Sequence, residues 1–201
     1  MDTKVSRDNS ASQLALERIE EAVRQGDLEL SLFGLKLTYL PQKIGRAIKL
    51  QGIDLGANKL RELPPEISKL NNLIWIDISG NEFTELPLGI TQLKKLRGLY
   101  LHHNQITKLP PEIGRLSNLE ELVIESNQLV ELPVEIGMLN KLKKLSLIDN
   151  KITELPSEFK TLKNLKELDL RMNLLSIPQD ILGIIWEPNK IMEYYFQELS
   201  R

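Results

Sequence analysis

Apolar residues recur along the chain in a fixed phase. From Leu73 they fall at Ile76, Ile78, Phe83, Leu86, Ile90 and Leu93, with Asn81 and Pro87 set among them. Moving forward 23 residues gives Leu96, Leu99, Leu101, Ile106, Leu109, Ile113 and Leu116, with Asn104 and Pro110 in the same places. The asparagines Asn58, Asn81, Asn104, Asn127, Asn150 and Asn173 keep that spacing. So do the prolines Pro41, Pro64, Pro87, Pro110, Pro133 and Pro156. A fixed period of this length marks stacked units, each unable to bury its apolar side without its neighbours. The pattern predicts an α/β repeat solenoid.

Within each unit the L-x-L segment, such as Leu99 and Leu101 or Leu168 and Leu170, has period two and predicts a short strand. Successive strands stack as one parallel sheet along an inner, concave side, and the remaining leucines turn inward as a continuous column. The Leu-Pro pair starts the outer segment, because proline fixes φ and discourages strand continuation. Pro110, Ile113 and Leu116 then have the spacing of a short turn or helix. The asparagines are expected to be structural. Each turn leaves backbone groups inside, an unpaired one costs about 1–3 kcal/mol, and an asparagine side chain offers both donor and acceptor.

The ends break the rule. Residues 1–9 are polar and predict a short disordered lead. A capping helix should follow, with Ser10 as N-cap, Gln13 at the capping-box spacing, Leu16, Ile19 and Val23 on one face and Gly26 as its stop. The first repeat is degenerate, with Leu35 where the others carry asparagine; six fuller repeats begin at Leu50, Leu73, Leu96, Leu119, Leu142 and Leu165. In the last, Pro178 comes one residue early. Ile181, Leu182, Ile184, Ile185 and Trp186 then look suited to sealing the end. Pro188 can open a final helix with an apolar stripe of Ile191, Met192, Tyr195, Phe196 and Leu199. That helix reads either as a cap or as a junction to another domain. The organisation expected is therefore lead and capping helix over 1–26, one degenerate and six full repeats over 27–182, and a capping or linker helix over 183–201.

A net charge of -2 and a pI near 5.8 argue against a general nucleic-acid or polybasic membrane surface. Cysteine is absent, which removes disulfides and cysteine metal sites. No apolar run reaches membrane-span length, and the polar N-terminus lacks the apolar centre of a signal peptide. These features predict a cytoplasmic protein. His102, His103 and Glu125 suggest a metal or acid–base site, but no third strong ligand accompanies them. Neither a nucleophile with its base nor a phosphate-cradling G-x-x-x-x-G-K-[ST] occurs. The expectation is no enzyme and no cofactor.

Strand alternation decides what faces out of the concave sheet. The first row of outward positions is Glu29, Gly52, Trp75, Gly98, Glu121, Lys144 and Glu167. The second is Ser31, Asp54, Asp77, Tyr100, Val123, Ser146 and Asp169, and the third is Phe33, Gly56, Ser79, His102, Glu125, Ile148 and Arg171. Single exposed apolar residues are ordinary on soluble proteins. Here, however, Trp75, Tyr100, Val123 and Ile148 gather within a few strand spacings, flanked by His102, Glu125 and Arg171. Aromatics beside directional polar groups make binding hot spots. Those seven residues are the predicted partner-binding site, for a protein partner or an adjacent domain.

The repeats, as N-x-L-x-x-L-P-x-x-I-x-x-L, resemble the short 23-residue intracellular class of leucine-rich repeats, which includes plant intracellular Ras-group proteins, Ras-suppressor proteins and bacterial repeat proteins. The resemblance covers roughly residues 28–182 and implies a horseshoe with a parallel concave sheet, capped by a helix at each end. The flanks resemble those of bacterial Roco proteins: Leu16-Glu17-Arg18-Ile19-Glu20-Glu21-Ala22 before the repeats, then Ile177-Pro178-Gln179-Asp180-Ile181-Leu182, Pro188-Asn189-Lys190-Ile191 and Tyr194-Tyr195-Phe196 after them. In that family such a tail joins the repeats to a Ras-like GTPase domain and its dimerising partner domain. The resemblance thus implies the regulatory repeat region of a Roco-like GTPase. A freestanding intracellular adaptor and a secreted bacterial effector are the alternatives.

Overall fold

In the computed structural model, residues 3–198 are described. Seven three-residue strands, β1 (Glu29–Ser31), β2 (Gly52–Asp54), β3 (Trp75–Asp77), β4 (Gly98–Tyr100), β5 (Glu121–Val123), β6 (Lys144–Ser146) and β7 (Glu167–Asp169), form one parallel sheet in chain order. Each residue pairs with the one 23 positions on, as in Trp75 with Gly98 and Gly98 with Glu121. The repeat period is therefore also the sheet register. The first six turns complete their outer side with a 3-10 segment such as Pro111–Arg115 or Val134–Met138, which begins directly after the phased proline. Five residues suit this tighter helix, whose hydrogen-bond geometry rarely sustains longer runs. Between sheet and outer segments lies a single column of fully buried side chains, among them Leu99, Leu101, Ile106, Ile113, Leu116 and Phe83.

The asparagines hold the turns as expected. Asn104 Nδ2 donates to the carbonyls of Ile78 (3.0 Å) and Leu101 (3.0 Å), and its Oδ1 accepts the N–H of Phe83 at 3.1 Å. Asn127 and Asn150 repeat this one and two turns on. The residue before each ladder asparagine takes a left-handed backbone: Ala57, Gly80, His103, Ser126, Asp149 and Met172 all have φ of 50–60°. Only Gly80 adopts it without steric cost, so the buried hydrogen bonds of the asparagine offset the strain at the other five. A second ladder runs along the solvent side. Asn72 Nδ2 donates to Ile48 O (2.9 Å), Lys95 Nζ to Asn72 Oδ1 (2.8 Å), Asn118 Nδ2 to Lys94 O (2.8 Å) and Lys141 Nζ to Asn118 Oδ1 (2.7 Å).

Both ends depart in detail from the sequence expectation. Helix α1 spans Thr3–Gln25, so most of the expected disordered lead is helical and Ser10 lies inside the helix. Asp8, Asn9 and Ser10 are weak helix formers, but each costs only a few tenths of a kcal/mol, and no glycine or proline interrupts the run. Residues 1 and 2 lie outside the described residues. The face α1 buries is Ser12, Ala15, Ile19 and Ala22, rather than Leu16, Ile19 and Val23; Leu16 is half-buried and Val23 is exposed. Small alanines let the helix approach the first turn closely, which rotates the contact stripe by one residue. Lys43 pairs with Glu20 across that joint.

At the other end, helix α2 (Gln179–Leu182) and helix α3 (Pro188–Glu198) fold back over the last turn. Leu168 of β7 donates its N–H to Ile185 O at 2.8 Å, so the chain itself closes the last strand. Ile191, Met192 and Tyr195 are buried, and Tyr195 Oη accepts the N–H of Leu155 at 2.9 Å. Lys160 Nζ lies 4.4 Å from the centre of the half-buried Phe196 ring. Trp186 does not seal the end: it is 69% exposed, because the Ile185 backbone is held against β7 and the chain turning into α3 throws the indole outward. The expected stripe residue Leu199 lies outside the described residues. Among the described residues no helix is long and apolar enough to cross a membrane.

Candidate partner-binding face

The register assembles the outward rows as the alternation predicts. Glu29, Gly52, Trp75, Gly98, Glu121, Lys144 and Glu167 face one another in sequence, as do Ser31, Asp54, Asp77, Tyr100, Val123, Ser146 and Asp169. What the rows do not reveal is how the large side chains settle. The Trp75 indole lies over Gly52, where a Cβ would come within 2.2–2.4 Å of Cε2, Cζ2 and Nε1. Tyr100 leans back over Gly98, with Cε2 and Oη each 3.1 Å from where a Cβ would stand, and Phe33 lies against Gly56 at 3.1 Å in the same sense. Three rings thus rest on glycines of their own or the adjoining strand. Between Trp75 and Tyr100 a notch of about 270 Å³ opens, floored by Gly98 and bordered by Arg97, Glu120 and Glu121.

The remaining predicted residues divide. Val123 is buried, shaded by its row neighbours, and offers a ligand little surface. Ile148 and His102 are half-buried and Arg171 is exposed. Glu125 accepts the Ser146 hydroxyl at 2.7 Å, while Arg171 is held by Asp169 at 2.6 Å (Nη2 to Oδ2). His102 Nδ1 is buried without a hydrogen-bond partner, and His103 sits in a left-handed turn beyond the strand. Among the described residues no group of three or more histidines and carboxylates is placed to hold a metal ion. Phe33, 58% exposed in the third row, and Glu121 belong to this face; the alternation put both in the outward rows but not among the seven predicted site residues. Glycines standing beside aromatics in one row, as Gly52 and Gly98 flank Trp75, were the available signal.

Tyr100 Oη donates to Glu121 Oε2 at 2.8 Å. Partial burial, and then this bond to a carboxylate, push the phenol up to about 12. A raised value stabilises the protonated form. The stability linked to it is present below the ordinary tyrosine value of about 10 and is lost as pH rises through the folded one. Tyrosinate absorbance followed upward in pH should therefore show Tyr100 ionising late, and Glu121→Gln should bring it earlier. An unchanged titration in that variant would remove Glu121 as a cause.

The leucine-rich repeat region family matches residues 28–128 and a second leucine-rich repeat family matches residues 117–175. A leucine-rich repeat protein of Leptospira interrogans is 39% identical with a TM-score of 0.74, over 81% of this chain and 43% of its own. The plant peptide hormone receptor RGFR1, in complex with RGF2, is 28% identical with a TM-score of 0.62, over 77% of this chain and 26% of its own. An internalin of Listeria monocytogenes, at 23% identity and a TM-score of 0.56 over 70% and 38%, shares the fold. The chain spans less than half of each of these structures. No curated protein matches it.

Proposed function

The chain belongs to the leucine-rich repeat family, whose repeats generally mediate protein–protein interaction, and from that premise we propose that its concave face captures a protein partner without catalysing a reaction. The observation that carries the reading is the pair Trp75 and Tyr100. Both are large, half-buried aromatics on a face with no core duty, and glycine neighbours give them room to lie there. Such rings offer much contact area for little rotamer entropy. His102 and Glu125 stand next to Tyr100, Ile148 and Arg171 lie two and three strands beyond it, and these would set orientation, with Val123 supporting alongside. Trp75→Ser combined with Tyr100→Ser should abolish capture of the partner from the native cell while shifting the melting temperature little, since neither side chain is fully buried. Undiminished capture would refute this reading.

Within it, the repeats act as the regulatory region of a Roco-like GTPase in the cytoplasm. Besides the flanking sequences, the exposed Met172, Leu174 and Trp186 at the C-terminal end of the solenoid favour an adjoining domain. A freestanding adaptor is the alternative. An immunoblot of the native polypeptide separates them: a band near 23 kDa supports the adaptor, and a much larger one the GTPase.

A further inference from the structure

Carboxylates on the concave face are spread unevenly. On β7 they are matched, Glu167 by Lys144 at 2.9 Å and Asp169 by Arg171 at 2.6 Å, while Glu121 and Glu125 accept the Tyr100 and Ser146 hydroxyls. Toward the N-terminal strands Glu29, Asp54 and Asp77 have no lysine or arginine within ion-pair distance among the described residues. Asp54 is oriented by the Gly56 N–H (2.9 Å) and the Ser31 hydroxyl (3.2 Å), and Asp77 by the Ser79 N–H (2.8 Å). Asp77 shares its strand with Trp75, and Asp54 lies on the adjoining one. Trp75 and Asp77 alternate along β3, Asp77 faces Tyr100 across to β4, and the Trp75 ring reaches over Gly52, two residues before Asp54.

A ring face and a carboxylate one strand spacing apart, about 4.8 Å, match a guanidinium. Its plane stacks on the ring while its fork donates to the acid, a pairing that a compact ammonium forms less well. We propose that the N-terminal half of the concave sheet receives an extended, arginine-bearing segment of a protein partner, with guanidinium groups on Trp75 and Tyr100 and paired with Asp54 and Asp77. The proposal rests on the concave face being the capture surface and specifies the chemistry of what it captures. The charge complement also excludes a polyanion, which these acids would repel.

The test uses the whole chain with Trp186→Phe, which leaves Trp75 as its one indole. An alternating arginine–glycine peptide should quench Trp75 emission saturably. The same peptide with citrulline, neutral but planar, should not. Asp54→Asn with Asp77→Asn should weaken the arginine peptide on the order of tenfold or more, while Glu131→Gln with Glu154→Gln, exposed acids remote from the sheet, should leave it unchanged. Equal binding of the citrulline peptide, equal loss in both acid pairs, or no quenching would overturn the proposal. So would a lysine peptide binding as tightly as the arginine one. If partner capture is lost in Trp75→Ser/Tyr100→Ser yet survives Asp54→Asn/Asp77→Asn, the capture surface stands and the arginine assignment falls. If capture survives both, the capture surface itself is wrong.

Discussion

Phe83→Ala should destabilise the protein by about 3–5 kcal/mol, the range for emptying a buried aromatic site. Phe83 is fully buried, and the equivalent positions in the other turns hold smaller residues: Leu37, Leu60, Ile106, Leu129, Ile152 and Leu175. Its ring therefore fills width that the neighbouring turns do not supply. The surrounding column cannot close up easily, because each turn is hydrogen-bonded to the next both at the sheet and at the asparagine ladder. Phe83→Leu, which restores the side chain used elsewhere, should cost much less, about 1–2 kcal/mol. Urea unfolding of both variants checks this. A loss below about 1 kcal/mol for the alanine variant would mean that the column relaxes around the vacancy.

Asn104→Ala should cost about 1–3 kcal/mol, because it leaves the buried Phe83 N–H without its acceptor. The carbonyls of Ile78 and Leu101 each lose one of two side-chain donors and keep the other, from Asn81 and Asn127, so the buried N–H carries most of the loss. The left-handed backbone of His103 next to it also loses the bonds that hold it. Asn118→Ala is the contrast. It too removes a side-chain bond to the preceding turn, at Lys94 O, but at the exposed edge. Water replaces that bond, so the loss should stay within about 0.5 kcal/mol. Similar costs for the two asparagines would show that burial is not what gives the inner ladder its value.

Most of the fold was legible because one number governs it. The 23-residue spacing sets the turn length, the strand register and the asparagine ladder together, so reading it once placed Trp75 beside Gly98 and Tyr100 beside Val123. The misses lie where that spacing gives no guidance. The start of α1 depends on what fails to stop a helix, and the Ser10 and Gln13 signal was locally plausible in a chain that simply kept winding. Trp186 depends on where the preceding backbone is anchored, which no side-chain pattern states. On the face, row membership fixed direction but not shading: Val123 points the right way and is buried all the same. The glycine seats under Trp75, Tyr100 and Phe33 needed side-chain conformations, although the glycines themselves were in plain view.

The Ile185 carbonyl, which accepts the Leu168 N–H of β7, also bears on self-association. Parallel strands stacked in register form a template that another chain can extend, and a stack of identical turns with a bare final strand would be a seed for filaments. Here the chain fills one outward donor of its final strand, Leu168, and at the opposite end Arg18 donates to Ser31 O at 3.2 Å. With that rung occupied by the chain itself, the C-terminal edge is a poorer template for a second molecule, and recognition falls more to side chains, where it can be selective.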